Sequence, residues 1–381
     1  MVGNGKGETI QMEKSLAPTL FENTPFGKGE LQSKIVMAPM TRVFSPDGVP
    51  TKEVAAYYKR RAAHGVGLIV TEGTAINHPA AVMHKDIPRF YGEEALAGWK
   101  QVVDEVHEAG GKIIPQLWHI GSARKQGNGP NEEAPPVSPS GLAVDGSENG
   151  VALSKEEIHQ MIQAFAQAAA DAEQLGFDGI EIHGAHGYLI DQFLWERTNQ
   201  RHDEYGGDLE GRTRFAVEVV KACRENVSAD FPIVFRFSQW KGGVYDAKLA
   251  RTPAELKQLL LPLAEAGVDV FHCSTRRIWE AEFEGEEPLN LAAWTKQLTG
   301  KPVISVGSLG VDYAFLSKKG NDEQSIDENL RLVDEKVRAE EFDYVAVGRA
   351  LLADPEWAEK VREGKQDEAI LYTKEAEKTL Y

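Results

Sequence analysis

The sequence predicts a single-domain α/β fold, a closed (β/α)8 TIM barrel, and three observations support this. Short apolar or β-branched runs alternate with amphipathic helical stretches along the chain, which is the pattern of βα units around a parallel sheet. There are eight such runs, the number of strands in this barrel. The alternative, a doubly wound open sheet for a dinucleotide, needs a glycine-rich first turn, but no Gly-x-Gly-x-x-Gly follows any run.

The elements follow in order along the chain. The predicted strands are residues 34–40, 67–71, 112–117, 179–183, 232–237, 268–273, 302–306 and 344–347. Between them, apolar residues recur at helical spacing in residues 51–64, 93–109, 155–175, 211–226, 252–266 and 289–298. Several of these helices begin at a Thr or Ser, the side chains that cap helix amino ends.

Length and composition fit one large globular domain or two domains of average size. The chain has 381 residues, of which 42% are hydrophobic and 27% charged. We expect the barrel to occupy residues 16–381. Residues 1–15 are polar and glycine-bearing without the apolar core of a secretory signal, so we expect a flexible amino-terminal extension.

The charge and the cysteines exclude several classes of function. A formal net charge of -17 repels nucleic acid and anionic membrane surfaces, so we expect neither as a partner. No apolar run approaches bilayer length. The two cysteines, Cys223 and Cys273, lack the close Cys-x-x-Cys spacing of a zinc site, a redox pair or an iron–sulfur cluster. We therefore expect no metal and a reducing, cytoplasmic compartment.

The segment 176–193 carries the most chemistry. Alternation along its strand places Glu181 and His183 on the face opposite to its two isoleucines, so His183 is the last inward polar residue before the loop. His186 and Tyr188 follow on a loop that glycines allow to bend tightly. A lone histidine here is best explained as a strand cap, but three proton-carrying groups converging at one strand end favour a catalytic site.

The carboxyl ends of barrel strands meet at one mouth, and here most of them are polar. Arg236 alternates with the apolar residues of its strand, so it points into the barrel, where an unpaired guanidinium is costly. Either a bound ligand or Glu181 on the neighbouring strand would satisfy it. The residues predicted at the mouth are Thr41, Gly73, Thr74, Gln116, Trp118, His183, His186, Arg236, Gly307, Ser308, Gly348 and Arg349.

The last two strands end in small residues beside a guanidinium. Gly307 and Ser308 follow the seventh strand, and Gly348 and Arg349 follow the eighth. Barrels of this class commonly bind a phosphate with backbone N–H groups at these two ends. The sequence therefore predicts a phosphate site at this part of the mouth.

Two long non-periodic insertions, residues 122–151 and 275–288, follow the third and sixth strands. Loops after strands lie on the catalytic face of a barrel, so both insertions are candidate walls of the site, although plain surface loops would have the same composition. The second insertion carries Trp279 and Phe283, which we predict, with Trp118, to shape a substrate pocket.

Several ordered motifs resemble the Old Yellow Enzyme family of flavin-dependent ene-reductases. They are Ala38-Pro-Met-Thr-Arg42, Thr71-Glu-Gly-Thr74, Gln116-Leu-Trp-His119, Gly179-Ile-Glu-Ile-His-Gly-Ala-His-Gly-Tyr188, Asp191-Gln-Phe193, Asp203-Glu-Tyr-Gly-Gly207, Arg212-Thr-Arg-Phe215 and Val345-Ala-Val-Gly-Arg349. They span nearly the whole chain. The resemblance implies the single-domain form of the family, because the iron–sulfur cysteines of larger members are absent.

The resemblance also implies FMN across the barrel mouth. Gln116 would bind the pyrimidine edge of the ring, Arg236 would supply positive charge near N1 and O2, and Thr41 would donate to O4. The full set of residues implied to bind FMN is Pro39, Met40, Thr41, Gly73, Gln116, Arg236, Gly307, Ser308, Gly348 and Arg349.

The implied reaction is the reduction of activated C=C bonds with NADH or NADPH as hydride donor. His183 and His186 would bind the oxygen of an α,β-unsaturated carbonyl, maleimide or nitro compound, and Tyr188 would give a proton to its α-carbon. Some relatives carry Asn in place of His186 or Cys in place of Thr41, so flavin potential and ligand preference should follow the subgroup with two histidines and Thr.

Two other functions compete with this interpretation. A metal-dependent barrel hydrolase would use Glu181, His183 and His186 as ligands, but the His-x-His of its first strand is missing. A non-catalytic flavin-binding protein would not need Tyr188 above paired histidines. The sequence predicts neither the natural substrate nor whether the protein is a monomer or a homo-oligomer.

Overall fold

Eight parallel strands close into a barrel in the computed structural model, which describes residues 15–311 and 325–381. They are β3 (Ile35–Met37), β4 (Leu68–Ala75), β5 (Lys112–Trp118), β8 (Ile180–His186), β9 (Ile233–Lys241), β10 (Val270–Ser274), β11 (Val303–Val306) and β12 (Tyr344–Val347). Strands that follow one another in this series are neighbours, and β12 pairs with β3 to close the ring. The predicted barrel is confirmed.

In the described part of the chain, six helices lie between the strands where the sequence predicts them, and four further helices were not predicted. The predicted helices are α1 (Lys52–Ala63), α2 (Glu93–Glu108), α3 (Lys155–Leu175), α5 (Leu209–Glu225), α6 (Pro253–Ala266) and α7 (Leu291–Thr299), and the further helices are α4 (Leu189–Leu194), α8 (Ile326–Arg338), α9 (Arg349–Ala353) and α10 (Trp357–Arg362). The ends of α3 illustrate how the sequence sets them: Ser154 and Glu157 form a capping box, and Gly176 ends the helix at φ 88°. Within the described ranges, no helix is long and apolar enough to cross a membrane.

A short amino-terminal hairpin closes one end of the barrel. Its strands β1 (Thr24–Phe26) and β2 (Gly29–Leu31) send Phe26 and Leu31 into the apolar layer inside the barrel. The Phe26 ring meets the Tyr344 ring edge-on at 6.5 Å, and the Tyr344 hydroxyl donates to the Pro25 carbonyl at 2.7 Å. The sequence did not indicate this hairpin. Because the amino end of the barrel is filled, the opposite mouth is left for a site.

Each predicted insertion has a definite place in the fold. In the first, β6 (Val137–Ser138) pairs with β7 (Val151–Ala152), and the buried Arg124 guanidinium donates to three loop carbonyls. In the second, Phe283 packs edge-on against Trp294 of α7 at 5.7 Å. The first insertion is therefore held together by its own strand pair and by Arg124, while Phe283 of the second insertion is buried in the core.

The predicted flexible extension lies outside the described residues, except for Ser15. The Ser15 hydroxyl donates to the Val361 carbonyl at 2.9 Å, so the described chain begins against α10. The assignment of residues 16–381 to one domain stays a prediction.

Candidate active site

The strand β8 delivers three proton-carrying side chains to the mouth. It runs to His186, three residues beyond its predicted end, and a shift in its pairing with β9 follows Gly184. His186 has φ 65° and Gly187 has φ 82°, so the chain turns sharply before Tyr188. This turn brings His183, His186 and Tyr188 together although they lie on a strand end and a loop.

The three rings contact one another. Ring centroids are 5.1 Å apart for His183 and His186, 5.0 Å for His183 and Tyr188, and 6.3 Å for His186 and Tyr188. Each pair meets edge to face, and Trp118 stacks on His183 at 6.2 Å. Such packing restricts the rotation of each ring, so the polar atoms of the three side chains are held at one place.

Burial and neighbouring charge set the protonation of the three groups. Burial lowers the pKa of His183 and of His186 well below the usual range, and the Arg236 guanidinium adds to both effects. Burial raises the pKa of Tyr188 above that of free tyrosine. At neutral pH the site therefore contains two neutral imidazoles and a protonated phenol.

Local hydrogen bonds orient the imidazoles. Nδ1 of His183 accepts from the Ala185 N–H at 3.3 Å, so the proton of the neutral ring resides on Nε2, which can donate to a ligand. Nε2 of His186 lies 2.7 Å from the Ser274 hydroxyl, whose oxygen accepts from the Arg236 guanidinium at 3.2 Å and whose proton can be donated to Nε2. Ser274, which the sequence did not single out, thus links the histidine to the buried cation.

The floor of the mouth is a buried polar network. Gln116 donates to Glu181 Oε1 at 2.8 Å, and His272 Nδ1 lies 2.6 Å from Glu181 Oε2. Glu181 is thus hydrogen-bonded to Gln116 and His272; its charge acts on Arg236, whose pKa it raises against the effect of burial, but no hydrogen bond joins the two side chains. Nε of Arg236 is buried without a partner among the described residues. An unmatched buried guanidinium N–H is costly, which points to an anionic or electron-rich ligand here.

The loop after β3 forms one side of the mouth. Pro39 and Met40 are half-buried and Thr41 is exposed. Glu72 holds the following residues, because its Oε2 accepts from the Arg42 N–H at 2.8 Å and the Val43 N–H at 3.2 Å. Burial raises the pKa of Glu72 to about 7, although these N–H groups oppose the shift.

Gly73 on β4 brings the backbone close to a large ring. A Cβ at this position would lie 2.5 Å from Cε3 of Trp118, so only glycine fits. The β4–β5 pairing shifts register between Val70 and Gly73, and Gly73 then pairs with Gln116. The shift thereby sets two predicted binding residues side by side.

The predicted phosphate residues lie at the ends of β11 and β12. Ser308 has φ 60°, and its hydroxyl donates to the Arg276 carbonyl at 2.8 Å. A Cβ on Gly307 would lie 2.7 Å from Thr275 Oγ1, and one on Gly348 would lie 3.4 Å from Met40 Sδ. The Arg349 guanidinium carbon lies 5.7 Å from the centroid of the Tyr372 ring. This end of the mouth is therefore continuous with the loop after β3.

The aromatic walls differ in part from those expected. Trp118 lies against Tyr188 at 5.0 Å, so it belongs to the cluster. Phe283 is buried in the core, and no ring contact joins Trp279 to the cluster among the described residues. Instead Trp240 stacks on His186 at 4.5 Å, and its N–H donates to the Ser274 carbonyl at 3.0 Å. Trp240 was missed because β9 was predicted to end at residue 237.

The competing metal arrangement is not built by the described part of the chain. There, no group of three or more His, Cys, Asp or Glu side chains converges as metal ligands. Glu181 faces His272 and Gln116, while His186 faces Ser274.

Fold and mouth together define a (β/α)8-barrel protein with proton-donating side chains and a buried cation at the ends of its strands. The chain belongs to the NADH:flavin oxidoreductase / NADH oxidase family, whose model matches residues 19–368. The resemblance to Old Yellow Enzyme seen in the motifs is thereby confirmed.

Two curated relatives illustrate the similarity. An NADH oxidase of Thermoanaerobacter brockii is 37% identical over 367 residues, which are 92% of this chain and 52% of that protein. The chain thus spans about half the length of this relative. A putative 12-oxophytodienoate reductase 2 of Oryza sativa subsp. japonica is 34% identical over 344 residues, 87% of this chain and 84% of that protein.

Solved structures agree with the barrel. A structure of morphinone reductase in complex with tetrahydroNAD superposes with a TM-score of 0.78 at 29% identity and covers 94% of each chain. The Old Yellow Enzyme of a Pichia species gives a TM-score of 0.76 at 26% identity, covering 94% of this chain and 90% of that one.

Proposed function

We propose that the protein is an FMN-dependent NAD(P)H oxidoreductase that reduces activated C=C bonds of α,β-unsaturated carbonyl, maleimide or nitro compounds. The observation that carries the proposal is the convergence of His183, His186 and Tyr188, with ring centroids 5.0 to 6.3 Å apart, beside a buried Arg236 whose Nε has no partner in the described chain. Family membership supplies the class of cofactor.

The residues at the mouth fit FMN. The unmatched Arg236 N–H suits an electron-rich edge of the isoalloxazine, and Gln116 lies at the end of β5, separated from β9 by the strand β8. Gly73 and the loop after β3 would line the other edge. The phosphate would be held at Gly307, Ser308, Gly348 and Arg349. When bound, FMN supplies the hydride that is taken from NAD(P)H and given to the substrate.

His183 and His186 would bind the substrate oxygen. Because burial lowers the pKa of both histidines, both imidazoles are neutral. Each can therefore donate one N–H to the substrate without placing a charge in the buried site. Hydrogen bonds to a carbonyl or nitro oxygen draw electron density away from the β-carbon, which then accepts hydride more readily. The bonds strengthen as charge develops on that oxygen, which stabilises the transition state.

Tyr188 would complete the reaction by proton transfer. Its phenol is protonated at neutral pH, because burial raises the pKa. After hydride reaches the β-carbon, the α-carbon carries the electron pair and takes the Tyr188 proton; solvent then returns a proton to the phenolate. The C=C bond thus gains one hydride and one proton.

The names of the relatives favour this choice of substrates and donor. They include a 12-oxophytodienoate reductase, an NADH oxidase and a morphinone reductase bound to tetrahydroNAD. The acidic surface disfavours nucleic acid and anionic membranes as partners. Both cysteines are buried and free, which suits a cytoplasmic location.

The cofactor provides the first test. We expect the purified protein to be yellow and to release FMN, not FAD, on denaturation, because the sequence predicts a single-phosphate site after strands β11 and β12 and has no dinucleotide fingerprint after any predicted strand. Chromatography of the released cofactor against FMN and FAD standards checks this. A protein that is colourless after incubation with FMN, or that releases FAD, would contradict the proposal.

A further inference from the structure

A fully buried ion pair lies beneath the turn that carries His186 and Tyr188. Lys241 Nζ is 2.8 Å from Asp191 Oδ1, and both side chains have zero exposure. Neither residue has a part in the chemistry proposed above. Two charges removed from water lose about as much hydration as they gain in attraction, so stability alone explains such a pair poorly.

The carboxylate of this pair holds the turn directly. Asp191 Oδ2 accepts from the Gly187 N–H at 2.6 Å. Gly187 has φ 82° and the preceding His186 has φ 65°, a backbone region that residues other than glycine rarely adopt. A strained residue keeps such a conformation only where its surroundings impose it. Asp191 is one of the groups that impose it.

The lysine ties the same turn to strand β9. Besides its ion pair with Asp191, its ammonium donates to the Ser238 carbonyl at 3.2 Å and the Gln239 carbonyl at 2.9 Å. Ser238 Oγ accepts from the His186 N–H at 2.9 Å, and the Gly242 N–H donates to the His186 carbonyl at 3.1 Å. The backbone of His186 is thus held by hydrogen bonds from β9, which ends at Lys241, and from Gly242, which follows it.

We propose that Asp191 and Lys241 are positioning residues, which hold the turn at Gly187 so that His186 and Tyr188 face the substrate together. The inference rests on the proposed function, since it assigns the pair a role in that site. Asp191 contacts the backbone of Gly187, which lies between His186 and Tyr188. Loss of this contact should therefore displace both side chains.

The test compares Asp191→Ala with a matched control, Asp343→Ala. Asp343 has the same pattern far from the mouth: one oxygen is 2.9 Å from Lys296 Nζ, and the other accepts from the Val303 N–H at 2.9 Å. Asp191→Asn keeps an acceptor for Gly187 and removes only the charge. If Asp191→Ala does not fold, Lys241→Met and Asp191→Asn carry the test.

Four quantities are measured on the FMN-loaded proteins: para-chlorophenol affinity, the rate of cyclohexenone reduction, hydrogen–deuterium exchange of the peptide 184–194, and thermal midpoint. We expect Asp191→Ala to weaken phenol binding and to slow cyclohexenone reduction by about 10- to 100-fold, as small displacements of reacting groups do. Exchange at the turn should accelerate. Asp191→Asn should fall between this variant and the wild type, and Asp343→Ala should lower only the midpoint.

Unchanged phenol affinity and unchanged exchange in Asp191→Ala, with a lowered midpoint like that of Asp343→Ala, would overturn the inference and make the pair structural. If the wild-type protein binds no phenol and reduces no alkene, the proposed function fails instead. In that case the exchange measurement still decides whether the pair holds the turn.

Discussion

Replacing both His183 and His186 with alanine should weaken the binding of para-substituted phenols by about 10²- to 10⁴-fold. Each histidine would give one hydrogen bond to the phenol oxygen, and a bond to a charged oxygen contributes about 1.5–3 kcal/mol. Two such bonds amount to about 3–6 kcal/mol, with about 1.4 kcal/mol for each factor of ten. Titration of the FMN-loaded protein with phenol, followed in the long-wavelength absorbance, measures the affinity.

A suitable control removes two imidazoles that lie away from the mouth. His64 pairs with Glu359 at 2.5 Å and His107 with Asp178 at 2.8 Å. The variant His64→Ala/His107→Ala should bind phenol as the wild type does. If the His183/His186 double variant keeps FMN and binds phenol with wild-type affinity, the two histidines are structural groups and do not receive the substrate oxygen.

Tyr188→Phe should separate the two halves of the reaction. The phenylalanine ring keeps the contacts with Trp118 and His183, both at 5.0 Å, but has no proton to give. We expect FMN reduction by NADH or NADPH to proceed at nearly the wild-type rate, while cyclohexenone reduction slows by about 10²- to 10⁴-fold, the usual effect of losing a positioned general acid. Stopped-flow measurement of each half-reaction checks both rates.

Substrate choice and a control variant sharpen this prediction. Nitroalkenes should be affected least, because the nitronate formed after hydride transfer is stable enough to take a proton from water. Tyr205→Phe also removes a tyrosine hydroxyl, a partly buried one that donates to Glu218 at 2.8 Å, and should leave both half-reactions unchanged. Equal slowing of flavin reduction, or normal cyclohexenone reduction, in Tyr188→Phe would assign the proton to another group.

The barrel could be predicted from the sequence because its strands are buried on both faces. Inward residues such as Val234 pack inside the barrel, while Ile233 and Phe235 pack against the helices, so each strand is a continuous apolar run. The ends of the strands were harder to predict. Beyond residue 237, β9 continues through Ser238, Gln239, Trp240 and Lys241, whose side chains break the apolar pattern although the backbone still pairs with β8.

The sequence predicted which side chains of the candidate site lie together, but not all their contacts. His183, His186 and Tyr188 could be identified as candidates because proton-carrying side chains follow one another between glycines. His272 was not identified because it lies within a predicted strand. Its contact with Glu181 depends on the fold, because the two residues lie on β10 and β8, two strands apart and 91 residues apart in the chain. Pairings of this kind are set by strand register and by the bulges in it, which local patterns do not encode.

The most direct test of the central claim is a single turnover without oxygen. The FMN-loaded protein is reduced with one equivalent of NADPH or NADH, mixed with 2-cyclohexenone, N-ethylmaleimide or a nitroalkene, and followed at the visible flavin band while the product is measured. The proposed function predicts that the oxidised spectrum returns and that one equivalent of saturated product forms for each flavin. Reduced flavin that persists with all three substrates would contradict it.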